Sequence, residues 1–160
     1  MKENKTSLTQ FLLLLIFIVF TIGFTLSYNE LHNFNMIQRS RFVQDISVYF
    51  TNNVKDSAIA SDLYDGKKIL KKNGGRWEEN ELDDYLGFFE LLNNYSEAGS
   101  INERDVNDFF SDYILTAYNN KEIKGYISDL RKNTKYTTYY ERFENLGRRF
   151  EIIEKRSKKK

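Results

Sequence analysis

Residues 11–26 read FLLLLIFIVFTIGFTL, and this stretch decides the fold. Its sixteen residues carry no charge, and only Thr21, Gly23 and Thr25 interrupt the apolar run. Extended to Leu8–Tyr28 it spans twenty-one residues. At about 1.5 Å rise per residue, that length matches a hydrocarbon core of about 30 Å. A buried core helix is rarely apolar on every face. The apolar region of a secretory signal is shorter, about 7–15 residues. The reading is therefore a retained signal anchor. Cleavage after Thr25-Leu26-Ser27, a poor small-residue site, is the alternative and would release a secreted helical protein.

Working outward, Lys2 and Lys5 precede the run, and Arg39 and Arg41 follow it. The positive-inside rule is nearly balanced by these four residues. The tail Lys155-Arg156-Ser157-Lys158-Lys159-Lys160 suits an anionic inner leaflet, where each basic residue is worth about 1 kcal/mol. The expectation is a single-pass protein of the cell membrane with its soluble domain in the cytoplasm.

Roughly 130 residues remain beyond the anchor, enough for one modest domain. The chain has no cysteine and no proline. The first removes disulfides, thiolate metal sites and thiol nucleophiles; the second suits long helices. Net charge is +1, so no global excess points to nucleic acid or to an acidic ligand. The charge is polarised all the same. Trp77–Asn120 holds eleven acids against Arg104 alone, a net of −10, whereas Lys121–Lys160 has a net of +7. Such asymmetry bears on association rather than fold.

The expected organisation is an N-terminal flank (1–10), the transmembrane anchor (11–28), a juxtamembrane helix (29–53), a helical domain (54–154) and a basic tail (155–160). The fold class is all-α: one N-terminal transmembrane helix followed by a small antiparallel helical bundle. Leu31, Phe34, Ile37, Phe42, Ile46 and Phe50 give the juxtamembrane stretch its helical spacing. A short helix around Ile59 and Leu63 stops at Gly66, a residue suited to a left-handed cap. Leu82, Tyr85, Leu86, Phe89 and Leu92 form one face of a helix from Glu78 to Asn94, with Trp77 stapling its start. The acids of its first turns favour the positive end of the helix dipole, which explains them without a metal or a catalytic acid pair.

Ser100-Ile101-Asn102-Glu103 reads as a capping box for a helix striped by Val106, Phe110 and Ile114. Asn120 caps a helix over Lys121–Lys132. A last helix, starting at Asn133-Thr134, carries Tyr136, Tyr139, Phe143, Leu146, Phe150 and Ile153 along one seam. Arg142, Arg148 and Arg149 lie off that seam and face the prospect of meeting the acidic helix.

Candidate chemistry is sparse. His32 is the single histidine and has no partner nearby for general-base work. Gly74-Gly75 after Lys67–Lys72 lacks the spacing of a phosphate loop. Read as a calcium loop, Asn94, Ser96 and Asp105 take ligand positions, but Ala98 fills one and Asp105 replaces the bidentate Glu, so calcium is disfavoured. Lys67–Lys72 with the basic tail offers a nucleic-acid alternative that has no motif behind it. Neither cofactor nor metal is expected, and the chain is read as not an enzyme.

Leu82-Asp83-Asp84-Tyr85-Leu86-Gly87-Phe88-Phe89-Glu90, then Gly99-Ser100-Ile101, Val106, Phe109-Phe110, Ile127–Arg131, Tyr140, Phe143, Glu144 and Leu146 carry a resemblance. This pattern, over about residues 78–150 plus the anchor, resembles an uncharacterised family of small prokaryotic proteins known only as a domain of unknown function. The resemblance implies one N-terminal span and a helical domain with an FFE-like signature; it implies no activity. Glu90 and Arg131 stand at signature positions, and a buried Glu90–Arg131 pair holding the bundle is the expectation. With Arg142 and Phe143 they are the candidate structural or interaction residues. The functional expectation is a membrane-anchored interaction or scaffold module, engaging the lipid bilayer and a protein partner or a second copy of itself.

Overall fold

The computed structural model describes residues 3–158, with side chains from Gln10 onward. The expectations placed on Lys2, on the Lys5 side chain and on Lys159 and Lys160 lie outside the described residues. Six helices account for nearly all of the described chain: α1 (Glu3–Asn52), α2 (Val54–Tyr64), α3 (Glu79–Glu97), α4 (Glu103–Asn119), α5 (Lys121–Asn133) and α6 (Glu141–Ser157). A single 3-10 turn covers Lys71–Asn73. Two compact units share the chain, residues 1–39 and 40–160.

The first unit consists of α1 up to Arg39. Every side chain described in it, from Gln10 to Arg39, is exposed. Phe17, Phe20 and Phe24 each leave more than 70% of their surface uncovered. Among the described residues this is the one helix long and apolar enough to cross a membrane. Thr21 and Thr25 donate their hydroxyls to the carbonyls of Phe17 and Thr21, both at 2.8 Å. Their polar groups are thereby satisfied within the helix, which an apolar surrounding requires. The stretches read as anchor and juxtamembrane helix are continuous.

The second unit is a helical bundle into which the last turns of α1 insert. Val43 and Phe50 are fully buried, whereas Val48 and Tyr49 are exposed. Phe50 is the centre of the aromatic core. Phe88 lies 4.7 Å from its ring centroid, Tyr113 5.0 Å, Phe89 5.8 Å, Phe110 5.9 Å and Tyr85 6.0 Å. Edge-to-face and tilted pairs of this kind add about 0.5–1.5 kcal/mol each beyond the burial of their area. α6 packs against both α4 and α3, and α2 lies against α3 and α4. Gly147 permits the closest approach: a Cβ there would stand 2.5 Å from Cγ of Tyr118 on α4.

Several local expectations need correction. α3 runs on to Glu97, so Asn94 and Ser96 stand on a helix rather than in a loop. Its N-cap is Glu78, which exchanges hydrogen bonds with Glu81 in a capping box. Asn102, not Ser100, caps α4, its side chain accepting from Arg104 N–H at 3.0 Å. Asn120 caps α5 as read, accepting from the N–H groups of Glu122 and Ile123. The last helix begins at Glu141, seven residues after Thr134. Tyr136 (66% exposed) and Tyr139 (37%) therefore stand outside the core, and Ile153 is also exposed. Of the seam residues, Phe143, Leu146 and Phe150 become buried, and Tyr140, which stands outside the expected seam, is buried with them.

Candidate functional site

The four residues singled out from the sequence, Glu90, Arg131, Arg142 and Phe143, meet at one corner, where the segment 134–140 joins α5 to α6. The sequence dictates how that corner is built. Thr134 ends α5 in an extended conformation, and its hydroxyl donates back to the Leu130 carbonyl at 2.8 Å. Tyr140 starts α6 with φ 58° and ψ 23°, a left-handed conformation uncommon for a residue with a side chain. What holds it there is its phenol, which donates to Asp83 Oδ1 on α3 at 2.5 Å. Tyr126 of α5 donates to the same oxygen, also at 2.5 Å. Burial, reinforced by these bonds to Asp83, pushes both phenols far above the usual tyrosine range, so they remain protonated donors.

With its hydroxyl committed to Asp83, Tyr140 gives α6 no side-chain cap. Glu90 of α3 supplies one instead: its Oε1 accepts the Arg142 N–H at 3.2 Å. A carboxylate against the first turn also complements the helix dipole. The expected Glu90–Arg131 pair does not form. Arg131 reaches Glu144 Oε2 at 2.8 Å and forks onto the Tyr139 carbonyl through Nε (2.9 Å) and Nη2 (2.5 Å). A bidentate guanidinium is suited to holding one carbonyl in a fixed direction. Phe143 is buried against Phe89, with ring centroids 6.0 Å apart.

Outside these anchors the corner is concave. Glu90, Tyr136, Thr138, Tyr139, Glu141 and Arg142 line a cleft of about 540 Å³. That volume falls within the range of small-ligand and side-chain sites, about 300–1,000 Å³. Tyr136 and Tyr139 stand nearly perpendicular, at 86°, with centroids 5.8 Å apart. The cleft offers aromatic faces, two carboxylates and a guanidinium, which equips it for recognition. Of the other arginines named from the sequence, Arg149 bridges to Asn93 Oδ1 (2.6 Å) on α3 and to Glu103 (3.0 Å) on α4. Arg148 is exposed.

Sequence reasoning missed two carboxylate hubs outside that corner. Asp62 is buried and accepts from Arg76 Nε (2.6 Å), Trp77 Nε1 (2.8 Å) and Lys67 Nζ (3.1 Å). Glu122 accepts from the N–H groups of Ile69 (2.8 Å) and Leu70 (3.0 Å) and from the Asn73 amide (2.7 Å). Burial raises both carboxyls, but the hydrogen bonds outweigh it and hold each below its usual value. Together they fasten the 67–77 loop to α2 and α5. Trp77 does pack against the core at the start of α3, and it is pinned there by Asp62. The basic edge read across Lys67–Lys72 is largely neutralised within the fold. Lys67 pairs with Asp62 and Asp65, Lys71 with Glu78 and Lys72 with Glu79. Among the described residues, no group of three or more His, Asp or Glu side chains is placed to hold a metal ion.

The family described as "Domain of unknown function (DUF4760)" matches residues 21–150, from the last part of the apolar run to the core of α6. The chain belongs to this family. No curated protein and no solved structure matches it.

Proposed function

We propose that this member of the DUF4760 family is a single-pass, signal-anchored membrane protein whose helical domain is a protein-interaction module on the cytoplasmic side. The observation that carries the reading is α1: sixteen consecutive residues from Phe11 to Leu26 form a helix with every side chain exposed. Water is a poor surrounding for such a surface, and soluble proteins seldom leave apolar patches of that size uncovered. A bilayer is the solvent that fits it. The basic residues Lys155, Arg156 and Lys158 support the cytoplasmic side through their preference for an anionic leaflet.

An interaction role is supported by the corner of residues 134–140. Two tyrosines remain exposed on a segment that four hydrogen bonds, from Arg131, Tyr140 and Arg142, hold in place. Exposed aromatic side chains on a preorganised support are the residues that dominate protein interfaces. The test is a photo-reactive amino acid in place of Tyr136 in the full chain, irradiated in native membranes. The same group at Lys124, an exposed residue on α5, serves as control. Adducts from position 136 alone are expected. Equal labelling from both positions, or none from 136, contradicts the interface.

A further inference from the structure

We infer that the cleft between α3 and the start of α6 accepts the cationic head of a lysine or arginine side chain on the protein partner. This inference rests on the reading of the corner as the partner-facing surface, and it names the chemistry that surface selects. Tyr136 and Tyr139 present two ring planes at 86° to one another. A cation within about 6 Å of a tyrosine face is attracted by the ring quadrupole. The aliphatic stem behind such a head covers aromatic surface while its charge stays at the rim.

The charges around the rings favour the same ligand. Glu90 and Glu141 line the cleft, opposed by Arg142 alone, which leaves it with a net negative charge. Glu90 spends Oε1 on the Arg142 N–H, and its second oxygen has no partner among the described residues. Glu141 likewise forms no ion pair among the described residues. An acidic or phosphorylated segment entering the cleft would meet two carboxylates for one guanidinium, a repulsive element that selects against it. The walls are also set before any ligand arrives. Arg131 fixes the Tyr139 carbonyl, Asp83 fixes the Tyr140 phenol, and Glu90 fixes the first turn of α6. A preformed cleft loses little conformational freedom on binding.

The test uses purified full chain in uncharged detergent and fluorescence anisotropy of a labelled, acetylated peptide of alternating glycine and lysine. The matching glycine–glutamate peptide is the opposite-charge probe. The lysine peptide is expected to bind more tightly than the glutamate peptide. Tyr136→Ala and Glu141→Gln are each expected to weaken lysine-peptide binding about three- to fivefold. Asp108→Asn removes the same charge from an exposed position on α4 and is expected to change binding by less than about 1.5-fold, since screening isolates distant surface charges. Equal binding of the two peptides overturns the inference. So does an Asp108→Asn effect as large as that of Glu141→Gln, or unchanged binding by Tyr136→Ala. Any of these with cross-linking at Tyr136 intact removes the cationic ligand and leaves the interface standing; loss of the cross-link removes the interface itself.

Discussion

Replacing Glu122 with alanine should unfasten the 67–77 loop, and the structure gives the size of the effect. The Glu122 carboxylate accepts the N–H groups of Ile69 and Leu70, both belonging to buried residues, and the exposed Asn73 amide. Alanine leaves the two backbone donors without a partner. An unsatisfied buried donor costs about 1–3 kcal/mol, and water reaches the Asn73 amide without penalty. The expected loss is about 3 kcal/mol, a large share of a typical domain stability of about 5–15 kcal/mol. On a bundle of this size that lowers the unfolding midpoint by about 10 °C. Glutamine keeps one acceptor oxygen and should lose about half as much.

Trp77 is the chain's single tryptophan and lies on this loop, its backbone N–H bonded to the Ile69 carbonyl at 2.9 Å. Its fluorescence reports the loop while circular dichroism reports the helices, both during thermal unfolding of the full chain in detergent. The pH dependence has a fixed sign. Glu122 is held below the ordinary glutamate value in the folded state, so its contribution is complete above that ordinary value and is lost as pH falls through the lowered one. That component should vanish in Glu122→Gln. A loss below about 0.5 kcal/mol in Glu122→Ala, the range of ordinary surface changes, would refute the reasoning.

Four further substitutions have outcomes set by the packing. Gly147→Ala should destabilise by about 1 kcal/mol, because crowding of Tyr118 (about 1–3 kcal/mol) exceeds the helical gain of about 1 kcal/mol. Gly125→Ala on α5 meets nothing within 4 Å and should stabilise by about 1 kcal/mol, so urea titration of the pair must give opposite signs. Asp83→Ala strips the acceptor from the buried phenols of Tyr126 and Tyr140, and chemical denaturation should show a loss of about 2 kcal/mol or more. Tyr136→Ala, on an exposed ring, should leave the unfolding free energy within about 0.5 kcal/mol of the parent.

What the sequence makes legible is what short-range physics determines. The apolar run needs no tertiary context, and the spacing of Leu82, Tyr85, Leu86, Phe89 and Leu92 places α3 with its buried face correct. Asn120 announces itself as a cap because its side chain acts on the residues immediately after it. The sequence pattern misplaces the start of α6 for a physical reason. Tyr136, Tyr139 and Phe143 keep helical spacing straight through a segment that is not helical. The competing influence is the bond from Tyr140 to Asp83, fifty-seven residues away, which turns the backbone left-handed. Glu122 and Asp62 were invisible for the same reason, since Glu122 serves donors some fifty residues earlier in the chain. For the corner, Glu90, Arg131, Arg142 and Phe143 were readable as positions, but not their pairing. Arg131 has Glu144 within reach from α6, and Glu90 is drawn to the uncapped N–H groups there.

The most direct test of the central claim is alkaline carbonate extraction of cell membranes, followed by the intact mass of the recovered chain. Retention of the uncut chain in the membrane pellet is the predicted result, with α1 as the anchor. Release into the supernatant, or a chain shortened near Thr25–Ser27, would contradict it and make residues 11–26 a signal that is removed.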